Sequence, residues 1–467
     1  MTAVHPESDL SYHAALAALS QRGRFGIRLG LGRTRALLRA LGDPQLAVRG
    51  ALVAGTNGKG SVLAIAGSAL RAAGLRVGET PKPHLVTYRE RIVVNGEPIS
   101  PTDFTRHVET VLGVADAVAR RHGQPTEFEL LTAVVFRHFA EARLDVALVE
   151  VGLGGRLDAT HAWDGGVAAI TNVDLDHMDR LGPTIAHIAR QKAAIIERGD
   201  LAVTGATGEA LAIVRRRARR MGAPLTVVEP ARLLGWDADG IEIDLPRLGP
   251  TRIGLRGRHQ AANAAVADAL LDALDAAGIA HVDDAARRRG YAAATWLGRL
   301  EVLRPPGGGV VLLDGAHNPA GAAALAIALD DLRPHLASGP VSLVMAAMID
   351  KDVDGVIAAL LTAQAMRGAT VLATSLDVPR AMPARELAAR WREASTRVDT
   401  VSGRAGRLTI RAIDDPLAAL HAAQQADGAG LTVVAGSLYL VGAVRAHLVD
   451  DPALRDPAAD LAPAEIA

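Results

Sequence analysis

Residues Leu52 to Ser61 read Leu-Val-Ala-Gly-Thr-Asn-Gly-Lys-Gly-Ser, and an apolar-periodic stretch runs on from Val62 to Gly74. A short apolar run, a glycine-rich turn and a helix start fit together where a buried strand hands over to a helix packed on its sheet. Such a turn converges backbone N–H groups and the positive end of a helix dipole on one point, which makes a cradle for an anion such as phosphate. Lys59 adds a charge, and Ser61 adds a hydroxyl able to meet Mg²⁺. Two positions depart from the common phosphate-loop spacing: Val53 stands where a glycine is expected, and Gly60 separates Lys59 from Ser61. An ordinary glycine-rich turn is the competing reading, but it leaves Lys59 and Ser61 without a packing reason to be there.

The alternation of strand and helix recurs along the chain, which predicts an α/β protein with mainly parallel sheets and right-handed crossovers in both halves. Before the loop, Tyr12 to Leu41 reads as two helices around a Gly/Arg-rich turn, Gly26 to Arg33. After it come a strand from Val77 to Pro81, a proline-flanked loop at Lys82-Pro-His84, the charged run Arg89-Glu-Arg91, and helices over Thr102–His122 and Glu127–Ala142. Apolar strands are expected at Val146–Val151 and Val167–Thr171, a helix at Thr184–Ile196, and a small antiparallel excursion at Ile241–Asp244 and Thr251–Leu255. With 467 residues the chain is too long for one core, and a boundary is expected near Trp296 to Gly298. The expected domains are therefore 1–297 and 298–450, with a Pro/Asp/Ala-rich tail, 451–467, read as disordered.

Composition excludes several classes. Lys+Arg and Asp+Glu balance at 51 each, so no net charge recommends nucleic acid as a partner. The absence of cysteine removes disulfides, thiol nucleophiles and Cys-ligated zinc. Met1 to Leu10 lacks the apolar core of a signal peptide, and no apolar run is long enough to span a bilayer, so a cytoplasmic chain is expected. Nothing in the charge balance pushes towards assembly, and a monomer is expected.

In open parallel sheets ligands sit beyond the carboxyl ends of strands, and the unusual polar residues fall there. Glu150 is a carboxylate in an otherwise apolar strand; beside a phosphate loop its partner is Mg²⁺ or, in the structural alternative, a salt-bridging cation. His177 follows the next strand after Asn172, Asp174 and Asp176, and is open to a metal or phosphate role or to that of a plain loop histidine. Lys192 lies in an Ala/Ile-rich helix, where patterning alone favours a solvated lysine. Asp314-Gly-Ala-His-Asn-Pro319 again stands between a strand and a helix and reads as a binding turn, and Arg299 is either a phosphate contact or a surface arginine.

These segments, taken together, resemble the folylpolyglutamate and dihydrofolate synthases of the Mur ligase superfamily. The resemblance is carried by Ala54-Gly-Thr-Asn-Gly-Lys-Gly-Ser61, Pro83-His-Leu85 with Glu90-Arg-Ile92, and Glu150-Val-Gly-Leu-Gly-Gly-Arg-Leu-Asp-Ala-Thr160. It continues through Asp176-His177, Lys192, His259-Gln260 with Asn263, Gly298-Arg-Leu-Glu301, Asp314 to Pro319, Asp350-Lys-Asp352 and Gly436-Ser-Leu-Tyr-Leu440, and begins at Phe25-Gly-Ile27. It implies an N-terminal P-loop ATPase domain, a smaller C-terminal Rossmann-like domain and an active site in the cleft between them. It implies an ATP-dependent amide ligase that adds L-glutamate to dihydropteroate, to (tetrahydro)folates or to both through an acyl phosphate, shielded from water by closure of the second domain.

By the same resemblance Thr56, Asn57, Gly58, Lys59, Gly60 and Ser61 bind ATP phosphates, Gln260 and Asn263 contact adenine, and Arg299 and Asp314 complete the nucleotide site. Ser61, Glu150 and His177 hold Mg²⁺, Lys192 matches a lysine carbamylated by CO₂, and Lys59 and His317 count among the catalytic groups. Lys82, Arg156, Asp158, His317 and Ser437 fall to the acceptor acid or glutamate. Lys82 stands where the family has serine; it does not ligate a metal, and a phosphate or substrate carboxylate is its expected contact. His161, Gln191 and Ala194 depart from the pattern without removing a catalytic group. A peptidoglycan-precursor ligase and a nucleotide-binding protein without ligase activity are the alternatives.

Overall fold

The computed structural model describes residues 10–23, 29–306, 309–402, 408–427 and 430–458. Phe25 to Ile27, and with them the start of the Gly26–Arg33 turn, lie outside the described residues. The described residues form two compact units: one within 10–230, 263–290 and 452–458, the other within 231–262 and 291–451.

The first unit is built on β1 (Gly50–Ala54), β2 (Val77–Thr80), β3 (Val93–Val94), β4 (Glu97–Pro98), β5 (Val146–Glu150), β6 (Gly166–Ile170), β7 (Leu201–Thr204) and β8 (Leu225–Val227). Their order is β4-β3-β2-β5-β1-β6-β7-β8, parallel from β2 to β8, with β3 and β4 antiparallel at one edge. Every residue of β1 and β5 is buried, as helices covering both faces of a parallel sheet require. Phe104, Phe136, Phe139 and Trp163 fill the core beside them. The register does the positioning. Val53 pairs with Glu150, and Ala54 pairs with Ile170. The carboxylate that ends β5 and the polar segment that follows β6 therefore leave the sheet on either side of the glycine loop that follows β1.

Two helices begin at strong caps. Glu127–Ala142 begins at a capping box of Thr126 and Glu129, and Pro101–His122 begins at Ser100, whose hydroxyl accepts from the Asp103 N–H.

The second unit opens with an antiparallel sheet of β9 (Arg232–Asp237), β10 (Gly240–Leu245) and β11 (Gly249–Ile253). A second sheet follows, with β12 (Glu301–Leu303), β13 (Val310–Leu313), β14 (Val341–Met345), β15 (Thr370–Ala373), β16 (Thr409–Ala412) and β17 (Leu431–Ala435) in the order β12-β13-β17-β14-β15-β16. All its pairs are parallel except β12 with β13. Its core is closed by Trp391, fully buried among the side chains of the sheet and its helices.

Two expectations need correction. A single boundary near residue 297 is replaced by an excursion: 231–262 packs with the second unit, and the division falls within the first turn of the helix Gln260–Ala276. The tail is not loose from 451: Asp456 is hydrogen-bonded to Tyr12, Thr87 and Arg89. Residues 459–467 lie outside the described residues.

Candidate active site

The loop between β1 and the helix Lys59–Ala72 is held from three sides. Gly58 caps that helix with φ 82°, and a Cβ there would lie 2.2 Å from Asn263 Oδ1, so glycine is required both for the left-handed turn and for the close approach. Behind the loop, Thr56 N–H donates to Asn172 O at 3.1 Å, and Asn57 N–H donates to Asn172 Oδ1 at 2.9 Å. Thr56 Oγ1 donates to Asp174 O and accepts from Asp174 N–H, while Thr171 Oγ1 donates to Asn57 O at 2.6 Å. The segment 171–174 is thus a brace that shapes the cradle, a role only tertiary contact reveals.

Cations converge on this loop. Lys59 Nζ donates to Gly55 O at 3.0 Å and Thr56 O at 3.2 Å, and stands 3.8 Å from Glu150 Oε1. Lys192 is buried, not solvated, and its Nζ donates to the same Gly55 O at 2.7 Å. Burial drives its pKa down to about 7, reinforced by the charge of Lys59 and opposed by Asp176 and Asp158. Lys82 donates its backbone N–H to Glu150 Oε2 at 3.0 Å and its Nζ to Glu150 O, with the ammonium 5.0 Å from the Phe128 ring centre. Burial lowers its pKa to about 8, although Asp158 and Glu150 pull it upward. Phe128 was not visible as a site residue in the sequence; it is one more aromatic in an apolar helix.

Glu150 is 3% exposed, and Ser61 is buried in the first turn after the loop. His177 is exposed, sits at φ 48° and has Nε2 3.9 Å from Asp176 Oδ2. Among the described residues no three His, Asp or Glu side chains cluster as a metal cage. The donors present, a buried carboxylate beside a phosphate cradle with a hydroxyl and an imidazole, nevertheless fit Mg²⁺, which takes few protein ligands and keeps waters and phosphate oxygens.

Asp158 is drawn into the loop that follows β5. One carboxylate oxygen accepts from Leu153 N–H, the other from the N–H and hydroxyl of Thr160, so it caps the turn Ala159–Ala162. Arg156 is exposed, and its N–H donates to Gln191 O.

The second unit gathers a separate set at the carboxyl ends of β13 and β17. Asp314 accepts from Leu300 N–H and Ala316 N–H, both at 2.9 Å, and burial raises its pKa against the pull of Arg299. Holding Leu300, at φ 47°, holds its neighbour Arg299, whose Nη1 would lie 2.0 Å from a Cβ on Gly315. His317 Nδ1 meets Gly315 O at 2.8 Å, and Ser437, buried after β17, caps the helix Leu438–Leu448. Gln260 is buried with Nε2 3.1 Å from His259 Nε2. Lys59, Lys82, Glu150 and Lys192 thus gather at the glycine loop, with Asn263 against Gly58, whereas Arg299 and Asp314 gather in the second unit; exposed His177 and Arg156 stand apart from these contacts.

Residues 53–271 match the Mur ligase middle domain, and residues 306–447 match the dihydrofolate synthetase C-terminal domain. A Bacillus subtilis dihydrofolate synthase/folylpolyglutamate synthase is 38% identical over 390 residues, 81% of this chain and 88% of that one. A Mycobacterium tuberculosis folylpolyglutamate synthase, solved with ADP and AMPPCP, superposes with a TM-score of 0.80 at 33% identity, covering 94% of this chain and all of that one. A bifunctional folylpolyglutamate synthase/dihydrofolate synthase solved with Mn, AMPPNP and L-glutamate gives a TM-score of 0.76 at 31% identity, over 95% of this chain and 99% of that one.

Proposed function

The chain belongs to the folylpolyglutamate synthase/dihydrofolate synthase family of Mur-type ligases, and from that premise we propose that it joins L-glutamate to dihydropteroate, to the γ-carboxyl group of reduced folates, or to both, converting ATP to ADP and phosphate. The observation that supports this most directly is the meeting of Lys59, Lys192 and Lys82 with Glu150 around one glycine loop. That is a site for a polyanion beside a site for an acid.

The acceptor carboxylate attacks the γ-phosphorus, the bond from that phosphorus to ADP breaks, and an acyl phosphate remains. The free amine of glutamate then attacks the acyl carbon, its proton passes to solvent, and phosphate leaves as the amide forms. The N–H groups from Gly58 to Ser61 hold phosphate oxygens, those of Thr56 and Asn57 being spent on Asn172, and the Lys59 ammonium offsets the charge that spreads over the phosphate during transfer. Ser61, Glu150 and His177 would hold Mg²⁺, which when bound neutralises phosphate charge. Lys192 as its carbamate adds an anion to that ion's surroundings. Gln260 and Asn263 are assigned to adenine, Arg299 and Asp314 to the phosphates, His317 and Ser437 to glutamate, and Lys82, Arg156 and Asp158 to the acceptor acid. One chain carries every assigned group, which supports a monomer as the working state. No described helix is long and apolar enough to cross a membrane, and the supply of ATP and glutamate there supports the cytoplasm as its place of work.

Purified protein should release phosphate only when ATP, Mg²⁺, L-glutamate and either dihydropteroate or a folate monoglutamate are all present. Turnover with neither acid but with an unrelated one would falsify the assignment, and the ratio of the two rates decides which reactions the chain performs. Arg299→Ala should lower kcat about 10²-fold by removing one preorganised charge from the transferring phosphoryl group. Arg299 donates to Gly298 O and its charge also acts on the buried Asp314, so the variant's melting temperature is measured beside kcat; a folded variant with normal kcat removes Arg299 from the site.

A further inference from the structure

The last described residues do not stay with the unit they follow. The helix Leu438–Leu448 belongs to the second unit, whereas 452–458 belongs to the first. There Asp456 Oδ1 accepts from Tyr12 Oη at 3.0 Å, Thr87 Oγ1 at 2.7 Å and Arg89 Nε at 3.2 Å. Arg89 Nη2 donates to Arg455 O at 2.9 Å, and Nη1 donates to Ile99 O at 3.2 Å. His13 Nε2 meets Pro457 O at 2.8 Å. Tyr12 and Arg89 are buried, and a single carboxylate oxygen is the shared acceptor of Tyr12, Thr87 and Arg89.

The residues so gripped shape the segment that carries Lys82. Thr87 is the N-cap of the short turn Tyr88–Arg91 and forms a capping box with Glu90. Glu90 accepts from the N–H groups of Leu85, Val86 and Thr87 at 3.0, 2.6 and 2.7 Å. Arg91 Nε donates to His84 Nδ1 at 2.8 Å, and the His84 and Tyr88 rings lie 4.3 Å apart. From Asp456 to Thr87, Glu90 and Leu85 the bonds form a continuous path that ends two residues from Pro83. Lys82, just before it, is fastened at its other side to Glu150.

We infer that Asp456 is a positioning residue: its grip on Thr87 and Arg89 holds the segment 82–92 in the conformation that presents Lys82 to the acceptor acid. The acceptor half of this inference rests on the assignment of Lys82 made above; the clamp itself does not. The full-length D456A and D456N variants test both. Amide hydrogen exchange without substrates reads the clamp, and steady-state kinetics read its consequence.

D456A should speed exchange across 85–92 and raise the KM for the acceptor acid, each about tenfold, as expected for losing one charge-assisted hydrogen-bond cluster. The KM values for ATP and glutamate, and kcat, should stay within about twofold. D456N keeps an amide oxygen that accepts from Thr87 and Tyr12, and should restore most of the wild-type exchange and acceptor KM. A lowered melting temperature with unchanged exchange and acceptor KM reduces Asp456 to a stabilising contact and overturns the inference. So does faster exchange at 85–92 with an unchanged acceptor KM, or a parallel rise in the KM for ATP. Wild-type protein that couples no acid overturns the functional assignment and the acceptor half with it, while the exchange measurement still decides the clamp.

Discussion

Lys59→Met lowers kcat by about 10³-fold or more while leaving the fold intact, because the substitution removes the cation that the phosphate loop itself carries. Lys59 is the first residue of its helix, and its stem is not part of the core; Nζ reaches back to Gly55 O and Thr56 O and stands 3.8 Å from Glu150. In the ground state its loss costs little beyond a partner for a buried carboxylate. During phosphoryl transfer negative charge spreads over the equatorial oxygens, and that is where a preorganised cation has its largest effect. The loss should therefore fall on kcat more than on the KM for the acceptor acid, which Lys59 does not hold. Lys59→Arg should recover little, because a planar fork does not reproduce a point charge between two carbonyls and Glu150. Phosphate release with all three substrates present is the measurement. Activity within about tenfold of wild type would show that the loop's N–H groups suffice, and would demote Lys59 to a brace for its own turn.

What the sequence disclosed was local. An apolar run ending in glycine, lysine and serine announces its own geometry, and Glu150 stood out because one charge interrupted an apolar strand. The partners did not. Asn172 and Thr171 look like ordinary residues after a strand, and only the pairing of Ala54 with Ile170 turns them into the loop's brace. β9 and β16 escaped notice because edge strands with alternating or exposed positions lack a continuous apolar run. Residues 452–458 give as little sign of order, because Pro, Asp and Ala carry no hydrophobic signal. The order of that segment comes from one carboxylate, Asp456, meeting residues 444, 369 and 367 positions away. Lys192 was misjudged by patterning, which sees an Ala-rich helix but not which of its faces is buried.

Lys192 carries the second large effect. Buried beside Lys59, it has a pKa of about 7, well below the 10.5 of an ordinary lysine. Its amine is therefore substantially neutral near neutral pH and able to attack CO₂: the nitrogen bonds to carbon, the amine loses a proton to solvent, and a carbamate anion replaces a cation. Below about pH 7 the ammonium dominates and the reaction is blocked, so activation by bicarbonate should rise with pH through 7. Stability moves the same way. Between the folded value near 7 and the unfolded value near 10.5 the unfolded chain binds more protons, so uncarbamylated protein gains stability as pH rises through that window. Below it the full cost of the buried cation, a few kcal/mol by linkage, remains. Lys192→Met should consequently raise the melting temperature at pH 6 while cutting kcat about 10²-fold or more, an opposition that simple damage to the fold does not produce. Lys192→Ala should regain part of its activity in the presence of a short carboxylate such as acetate, which can fill the vacated space with the missing negative charge. CO₂-depleted wild-type protein should be slow and recover on adding bicarbonate, whereas neither variant should respond to it. If Lys192→Met retains wild-type kcat, the buried lysine serves the loop only as a donor to Gly55 O, and the carbamate has no part in the reaction.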